Sequence, residues 1–179
     1  MTTVHTVGHG TLPAAAFVSL IAGDAIGRIV DVRSFPGSRH NPQFGRDEME
    51  RWLPEAGVEY RWLRELGGRR RSASPSRNVA LRNDAFRAYA DYMQTNEFPA
   101  AVDQLLALAE GDHTAVMCSE SVWWRCHRRL IADYLVLTRE VDVAHLMHDG
   151  RQVAHVPTAG VRIADNELVY DLGATPPLG

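Results

Sequence analysis

Residues 114–137 read TAVMCSESVWWRCHRRLIADYLVL, and the change of period inside this stretch decides the fold. Thr114 to Met117 is short, apolar and β-prone, whereas Leu130 to Leu137 carries apolar residues at helical spacing. A strand therefore gives way to a helix around Cys118 and Glu120, with the helix expected to start near Trp123. In an open α/β sheet that junction is the carboxyl edge, where ligands bind. The helix start that follows offers free N–H groups and the positive end of a dipole. Met117 to Arg129 also holds both cysteines of the chain, an acid, a histidine and three arginines. Chemistry is expected here.

Outward from this junction, strands alternate with helices. Val4 to Gly8 reads as a first strand, followed by a helix from Ala14 to Ala22 that Thr11 would cap and Pro13 would open. Arg28 to Val32 is a second strand. A loop from Arg33 to Arg46, rich in Gly, Pro, Ser and Asn, leads to a helix from Asp47 to Ala56 that Gly57 would end. Val58 to Leu63 is a third strand. Gly67 to Val79 contains Arg69, Arg70 and Arg71 followed by Ser-Ala-Ser-Pro-Ser, a composition that predicts a mobile loop. Helices are expected over Asp84–Thr95 and Pro99–Ala109. Beyond the quoted stretch, Val141–Leu146 and Gln152–His155 read as strands joined by a turn at His148-Asp149-Gly150. A short C-terminal extension over 156–179 holds an extended hairpin near Val161–Tyr170. This alternation predicts an α/β three-layer sandwich, a largely parallel central sheet with helices on both faces.

The chain has 179 residues, 45% hydrophobic and 23% charged, which fits one α/β domain over 1–179. The net charge of −3 argues against bulk coating of nucleic acid, although all 19 basic residues are arginine. No apolar run approaches the roughly 18 residues of a membrane span, and no basic stretch followed by an apolar one opens the chain. A cytoplasmic location is expected, with the two cysteines as free thiols. Apolar surface on the C-terminal hairpin can support a homodimer.

Under the parallel arrangement, the carboxyl strand ends carry Gly8-His9-Gly10, Asp31-Val32-Arg33, Leu66-Gly67-Gly68 and Cys118-Ser119-Glu120. These landmarks, with Pro36, Ser38 and Arg39 after the second and Cys126-His127-Arg128 after the last, resemble those of the uncharacterised bacterial proteins grouped as domain of unknown function 488 (DUF488). The resemblance covers nearly the whole chain. It implies a compact α/β fold and a shared site, which brings in Ser38 and Cys126, but it brings no reaction. Two departures stand out: Gly10 where the family often has serine, and Ser119 where it often has alanine. The first removes a hydroxyl from the expected ligand edge.

The candidate catalytic residues are Cys118, Glu120, His127 and His9. A Cys118 thiolate facing a helix N-terminus and arginines would be nucleophilic, with Glu120 or His127 moving protons. The competing view makes Cys118 a small buried hydrophobe closing its strand. The spacing from Cys118 to Arg125, six intervening residues, departs from the Cys-x5-Arg of tyrosine-phosphatase-like loops. No metal is expected, because Cys126 and His127 are adjacent and would point about 100° apart on a helix. No cofactor is named.

The candidate substrate-binding residues are Arg33, Ser38, Arg39, Gly67, Gly68, Cys126 and Arg128. Planar guanidinium groups grip phosphate or carboxylate with two hydrogen bonds. Arg128 could instead pair with Asp31 or Glu120. The Gly67-Gly68 pair could admit a ligand to the backbone or merely mark a turn. Trp123 and Trp124 could stack a base or pack in the core. The ligand is expected to be small and anionic or nucleotide-like, with nucleic acid weakly supported and no membrane partner. Two functions remain open: an enzyme acting on a phosphorylated or nucleotide-like substrate, or a non-catalytic nucleotide or nucleic-acid binding module using the same edge.

Overall fold

The computed structural model describes residues 2–72 and 75–174. Strands β1 (Thr3–Gly8), β2 (Arg28–Asp31), β3 (Glu59–Trp62), β4 (Thr114–Cys118), β5 (Asp142–Leu146) and β6 (Gln152–Ala154) form one sheet in the order β3-β2-β4-β1-β5-β6. All neighbours are parallel except β5 and β6. Helices α1 (Ala14–Gly23) and α2 (Arg46–Glu55) cover one face. Helices α3 (Asp84–Met93), α4 (Glu97–Ala109) and α5 (Arg128–Arg139) cover the other. This is the α/β sandwich that the alternating pattern predicts.

Strand period places each side chain. In β4, Ala115 and Met117 join Phe17, Ile21, Met49 and Leu53 under α1 and α2, while Val116 and Cys118 join Phe98, Leu130 and Ile131 under α3, α4 and α5. The strands are buried on both faces, as parallel strands are, so they read as apolar runs and lack alternation. Each fully buried Leu, Ile or Phe contributes about 1.5–3 kcal/mol. Within this frame the side chain of Cys118 leaves the sheet toward α5.

One expectation needs correction. The helix placed from Trp123 starts at Arg128: Trp123–Arg125 is a single 3-10 turn, and Cys126 is extended at φ −123°, ψ 151°. The guanidinium of Arg128 takes the carbonyl oxygens of Glu120 and Ser121, both at 3.0 Å, as the loop returns over the sheet edge. Described side chains near both ends of segment 67–79 bond to the fold. Arg70 lies 3.6 Å over the Tyr92 ring and donates to the carbonyls of Gly67 and Glu65, while Asn78 is fully buried and donates to Asp91. Ala73 and Ser74 of that segment lie outside the described residues.

The C-terminal hairpin is present as β7 (Val161–Ala164) and β8 (Glu167–Tyr170), a separate two-stranded sheet. Asp165 and Asn166 make its turn with positive φ, as a tight hairpin requires. Leu168 and Tyr170 point into the core, and the Ala80 N–H donates to the Tyr170 carbonyl at 2.8 Å. The extension is therefore packed through Tyr170, and 175–179 lie outside the described residues. No described helix is long and apolar enough to cross a membrane.

Candidate functional site

A cleft of about 710 Å³ opens where the loops after β1, β2, β3, β4 and β5 meet. Four separate segments converge there as the strand-end reading expects: His9 and Gly10, Arg33 and Ser34, Gly68, and Cys118 to Ser121. Cys126 and His127 line the same space. Two glycines allow the approach. A Cβ on Gly8 would lie 1.7 Å from the Glu120 carbonyl oxygen, and one on Gly68 would lie 2.6 Å from Nδ1 of His127. Gly67 closes on Ser34 in the same way, at 2.5 Å from its Oγ, so the Gly-Gly pair serves close packing of backbone on the site's side chains.

Cys126, His127 and Arg128 form the centre. His127 Nε2 lies 2.8 Å from the Val32 carbonyl, which can only accept, so Nε2 carries the hydrogen. Nδ1 is then the acceptor, 3.5 Å from Cys126 Sγ. Burial holds the His127 pKa below the ordinary histidine value and so favours the neutral ring. Burial alone would raise the Cys126 pKa. The neighbouring Cys118 thiol, the Arg128 charge and the Arg128 backbone N–H outweigh it and bring the thiol below its usual value.

Arg128 explains that balance. It is 1% exposed, and among the described residues no carboxylate pairs with it. Its Nε and Nη1 are buried with no hydrogen-bond partner. A buried cation needs an anion nearby, and the thiol directly before the helix is the group it favours in ionised form. Arg128 is therefore a charge beneath the cleft. Arg128 is not among the residues that line the cleft, and among the described residues it makes no ion pair with Asp31 or Glu120.

The expected role of Cys118 also moves. Burial pushes its pKa well above the ordinary cysteine value, and its thiol donates to the Glu120 carbonyl at 3.5 Å. Cys126, 3.5 Å from His127 Nδ1, is the thiol whose surroundings favour ionisation. Glu120 itself is half-buried in the cleft, with Oε1 accepting from the Val122 N–H at 3.5 Å.

Arg33 and His9 hold each other. Arg33 makes a two-pronged ion pair with Asp31 at 2.9 and 2.7 Å, donates to the Phe44 carbonyl at 2.8 Å, and its Nη1 reaches His9 Nε2 at 3.3 Å. Tyr60 donates to the same carboxylate at 2.5 Å. His9 Nδ1 donates to the Gly10 carbonyl at 2.8 Å, and its ring stacks 4.3 Å from Phe44. Burial brings the His9 pKa down to about 4, so it is neutral at pH 7. With both nitrogens engaged, His9 positions Arg33, and Asp31 neutralises the charge Arg33 would offer a ligand.

Of the other expected binders, Ser38 lines the cleft, with Oγ accepting from the Asn41 N–H at 3.0 Å, whereas Arg39 is exposed and does not line it. The arginines that do line it, free of carboxylate partners among the described residues, are Arg69 and Arg125. His148 also lines it, with Nε2 donating to the Gly8 carbonyl at 2.6 Å. The absent hydroxyl at Gly10 has a structural reason: the residue has φ +53°, and a Cβ would stand 2.9 Å from the His148 ring.

A buried polar chain lies behind the thiol loop and escapes sequence reading. Thr6 Oγ1 meets His145 Nδ1 at 2.6 Å, His145 Nε2 meets His155 Nδ1 at 2.9 Å, and His155 Nε2 meets Asp133 Oδ1 at 2.7 Å. The Thr158 N–H and the Tyr170 hydroxyl donate to the same carboxylate at 2.9 and 2.8 Å. A carboxylate only accepts, so His155 Nε2 donates to Asp133. Burial drives the His145 pKa down to about 3. Trp123 stacks flat on His145 at 4.2 Å, so one of the two tryptophans anchors the thiol loop, while Trp124 is 46% exposed. The signal in the sequence was Asp133, an acid inside the apolar run Leu130–Leu135 of α5.

Fold and site together define a class: an α/β protein with a thiol–imidazole pair in a carboxyl-edge cleft, above a buried arginine. The family profile described as domain of unknown function DUF488 matches residues 13–135, more than half of the chain, and the chain belongs to that family. No curated protein and no solved structure matches it.

Proposed function

We propose that the protein is an enzyme, a hydrolase or transferase, that acts on a phosphorylated or nucleotide-like substrate in the carboxyl-edge cleft, with Cys126 as nucleophile. The observation that carries this reading is the consecutive Cys126, His127 and Arg128. The first supplies sulfur, the second an Nδ1 lone pair 3.5 Å away, and the third a buried cation that favours the sulfur anion. Glu120, which lines the same cleft, would protonate the leaving group. An anionic portion of the substrate would meet Arg69 and Arg125. Two unpaired thiols fit the reducing interior of a cell.

The test is turnover of a panel of nucleotides and sugar phosphates by Glu120→Gln and Cys126→Ser variants. Each variant should lose at least a hundredfold in kcat, while ligand affinity and thermal midpoint stay near those of the parent. A Cys126→Ser protein that turns over the active substrate at the parental rate sinks the nucleophile.

A second reading, a module that binds nucleotide or single-stranded nucleic acid without catalysis, is favoured by one observation. Phe35 is 63% exposed beside the cleft, with the Arg69 guanidinium 5.3 Å from its ring centre, an arrangement that suits a stacked base and its phosphate. It requires salt-sensitive oligonucleotide binding that is lost when Arg69, Arg70 and Arg71 are neutralised. Unchanged binding in that triple variant removes it.

A further inference from the structure

We propose that Cys126 and Cys118 form a peroxide-responsive dithiol, in which Cys126 is the oxidised residue and Cys118 the one that resolves it into a reversible disulfide. The proposal shares only the Cys126 thiol with the proposed reaction and requires no substrate.

The placement of the two sulfur atoms carries it. Cys118 ends β4 on the face turned toward α5, and Cys126 stands in extended backbone directly before α5. The eight-residue step between them folds back through the 3-10 turn, so both cysteines line one cleft and belong to one buried cluster, each near enough to shift the other's ionisation. A redox-responsive cysteine needs thiolate character, access to the oxidant and a second thiol poised beside it. Arg128 supplies the first through a buried guanidinium with two nitrogens unpartnered among the described residues. The cleft supplies the second, being wide enough for a small peroxide to reach a sulfur that larger reagents meet slowly. Cys118 supplies the third. Cys118 is 2% exposed against 6% for Cys126, and its thiol favours the protonated form, so oxidation begins at its neighbour.

The chemistry balances with hydrogen peroxide as the named oxidant. The Cys126 thiolate attacks one peroxide oxygen; an S–O bond forms, the O–O bond breaks and hydroxide leaves, taking a proton to become water. Cys126 is then a sulfenic acid, oxidised by two electrons. The Cys118 sulfur attacks the Cys126 sulfur; an S–S bond forms, the S–O bond breaks, and the departing hydroxide leaves as water with the Cys118 proton. A dithiol reductant returns both thiols. While the disulfide persists, His127 Nδ1 faces no thiol, so the same event withdraws the nucleophile.

The experiment treats the whole chain with hydrogen peroxide, alkylates remaining thiols and digests with trypsin without reduction. Cleavage after Arg87, Arg125 and Arg128 separates a peptide carrying Cys118 from the tripeptide Cys126-His127-Arg128. The expected result is that these two peptides are joined, that titratable thiols fall from two to none, and that dithiothreitol restores both. In a Cys118→Ser chain, Cys126 should proceed to sulfinic and sulfonic acid with no joined peptide. The parent chain tests the proposal even if that variant fails to fold. It is overturned if parental Cys126 goes to sulfinic acid unjoined, or if both thiols survive peroxide that fully oxidises free cysteine. It is equally overturned if Cys118 oxidises as fast in a Cys126→Ser chain. A joined pair in a protein that turns over no phosphorylated compound would sink the proposed reaction and leave the dithiol standing.

Discussion

Replacing Gly68 by alanine tests the geometry of the site without touching a reactive group. The added Cβ would lie 2.6 Å from Nδ1, 2.8 Å from Cγ and 3.0 Å from Cε1 of His127. Ordinary contact begins at 3.4 Å, so the ring or the 67–69 backbone must yield by at least 0.8 Å, the difference from 2.6 Å. The ring resists, because Nε2 is bonded to the Val32 carbonyl at 2.8 Å and Tyr89 packs 5.0 Å from its centroid. Overpacking of this kind costs about 1–3 kcal/mol. If the Val32 hydrogen bond breaks as well, about 1 kcal/mol more is lost. Urea unfolding should therefore show a stability loss of about 1–4 kcal/mol. The pH profile of Cys126 alkylation should shift toward that of an unassisted thiol, because the ring is pushed from its partner. A Gly68→Ala protein with parental stability and a parental Cys126 profile would refute the pairing of His127 with Cys126.

Two more expectations follow from buried groups and a third from the arginines that line the cleft. His9 and His145 are neutral when folded, with pKa values pushed by burial to about 4 and about 3, but they bind protons near pH 6.5 when unfolded. As pH falls below 6.5 the unfolded chain takes up protons that the folded chain refuses, so stability is lost down to the folded values. The loss is about 2 kcal/mol for each group at pH 5. Equal urea midpoints at pH 7 and pH 5 would contradict it. Asp133→Asn should cost about 3–5 kcal/mol, because the carboxylate accepts from His155, Thr158 and Tyr170 and an amide cannot replace every contact. That corresponds to a fall in Tm of roughly 6–20 °C by calorimetry, and an unchanged Tm would mean the network carries no weight. Arg69→Gln and Arg125→Gln should each weaken binding of the active phosphorylated ligand roughly tenfold or more, read by calorimetric titration, while Arg39→Gln leaves it unchanged.

Much of the architecture was legible because the period of the apolar residues changes at each element, and Gly, Pro and Asn punctuate the boundaries. The convergence of four strand ends on one cleft follows from a parallel sheet, whichever order the strands take. What the pattern could not resolve was the fate of individual charges. Arg33, Arg39 and Arg128 look alike in sequence. In the fold, one is held by an acid two residues away, one is exposed, and one is buried under the loop that follows β4. The same limit exchanged the cysteines: the roles of Cys118 and Cys126 depend on where α5 starts, and three residues of 3-10 turn decide that. The His145–His155–Asp133 chain joins residues on β5, after β6 and on α5, which only tertiary packing brings together.

The position of β1 also bears on how the molecule is made. It occupies the middle of the sheet, and its two neighbours, β4 and β5, begin at Thr114 and Asp142. At synthesis rates of about 5–20 residues per second, the first strand leaves the ribosome roughly 5–30 s before both partners exist. The hairpin-free pair β2 and β3, separated only by α2 and its loops, can close first. Until then Val4 and Val7, both fully buried in the finished fold, have no sheet to join. The step that inserts β1 between β4 and β5 is therefore expected to be late, non-local and slow. It is also the step that brings Gly8 against the Glu120 carbonyl and so shapes the cleft.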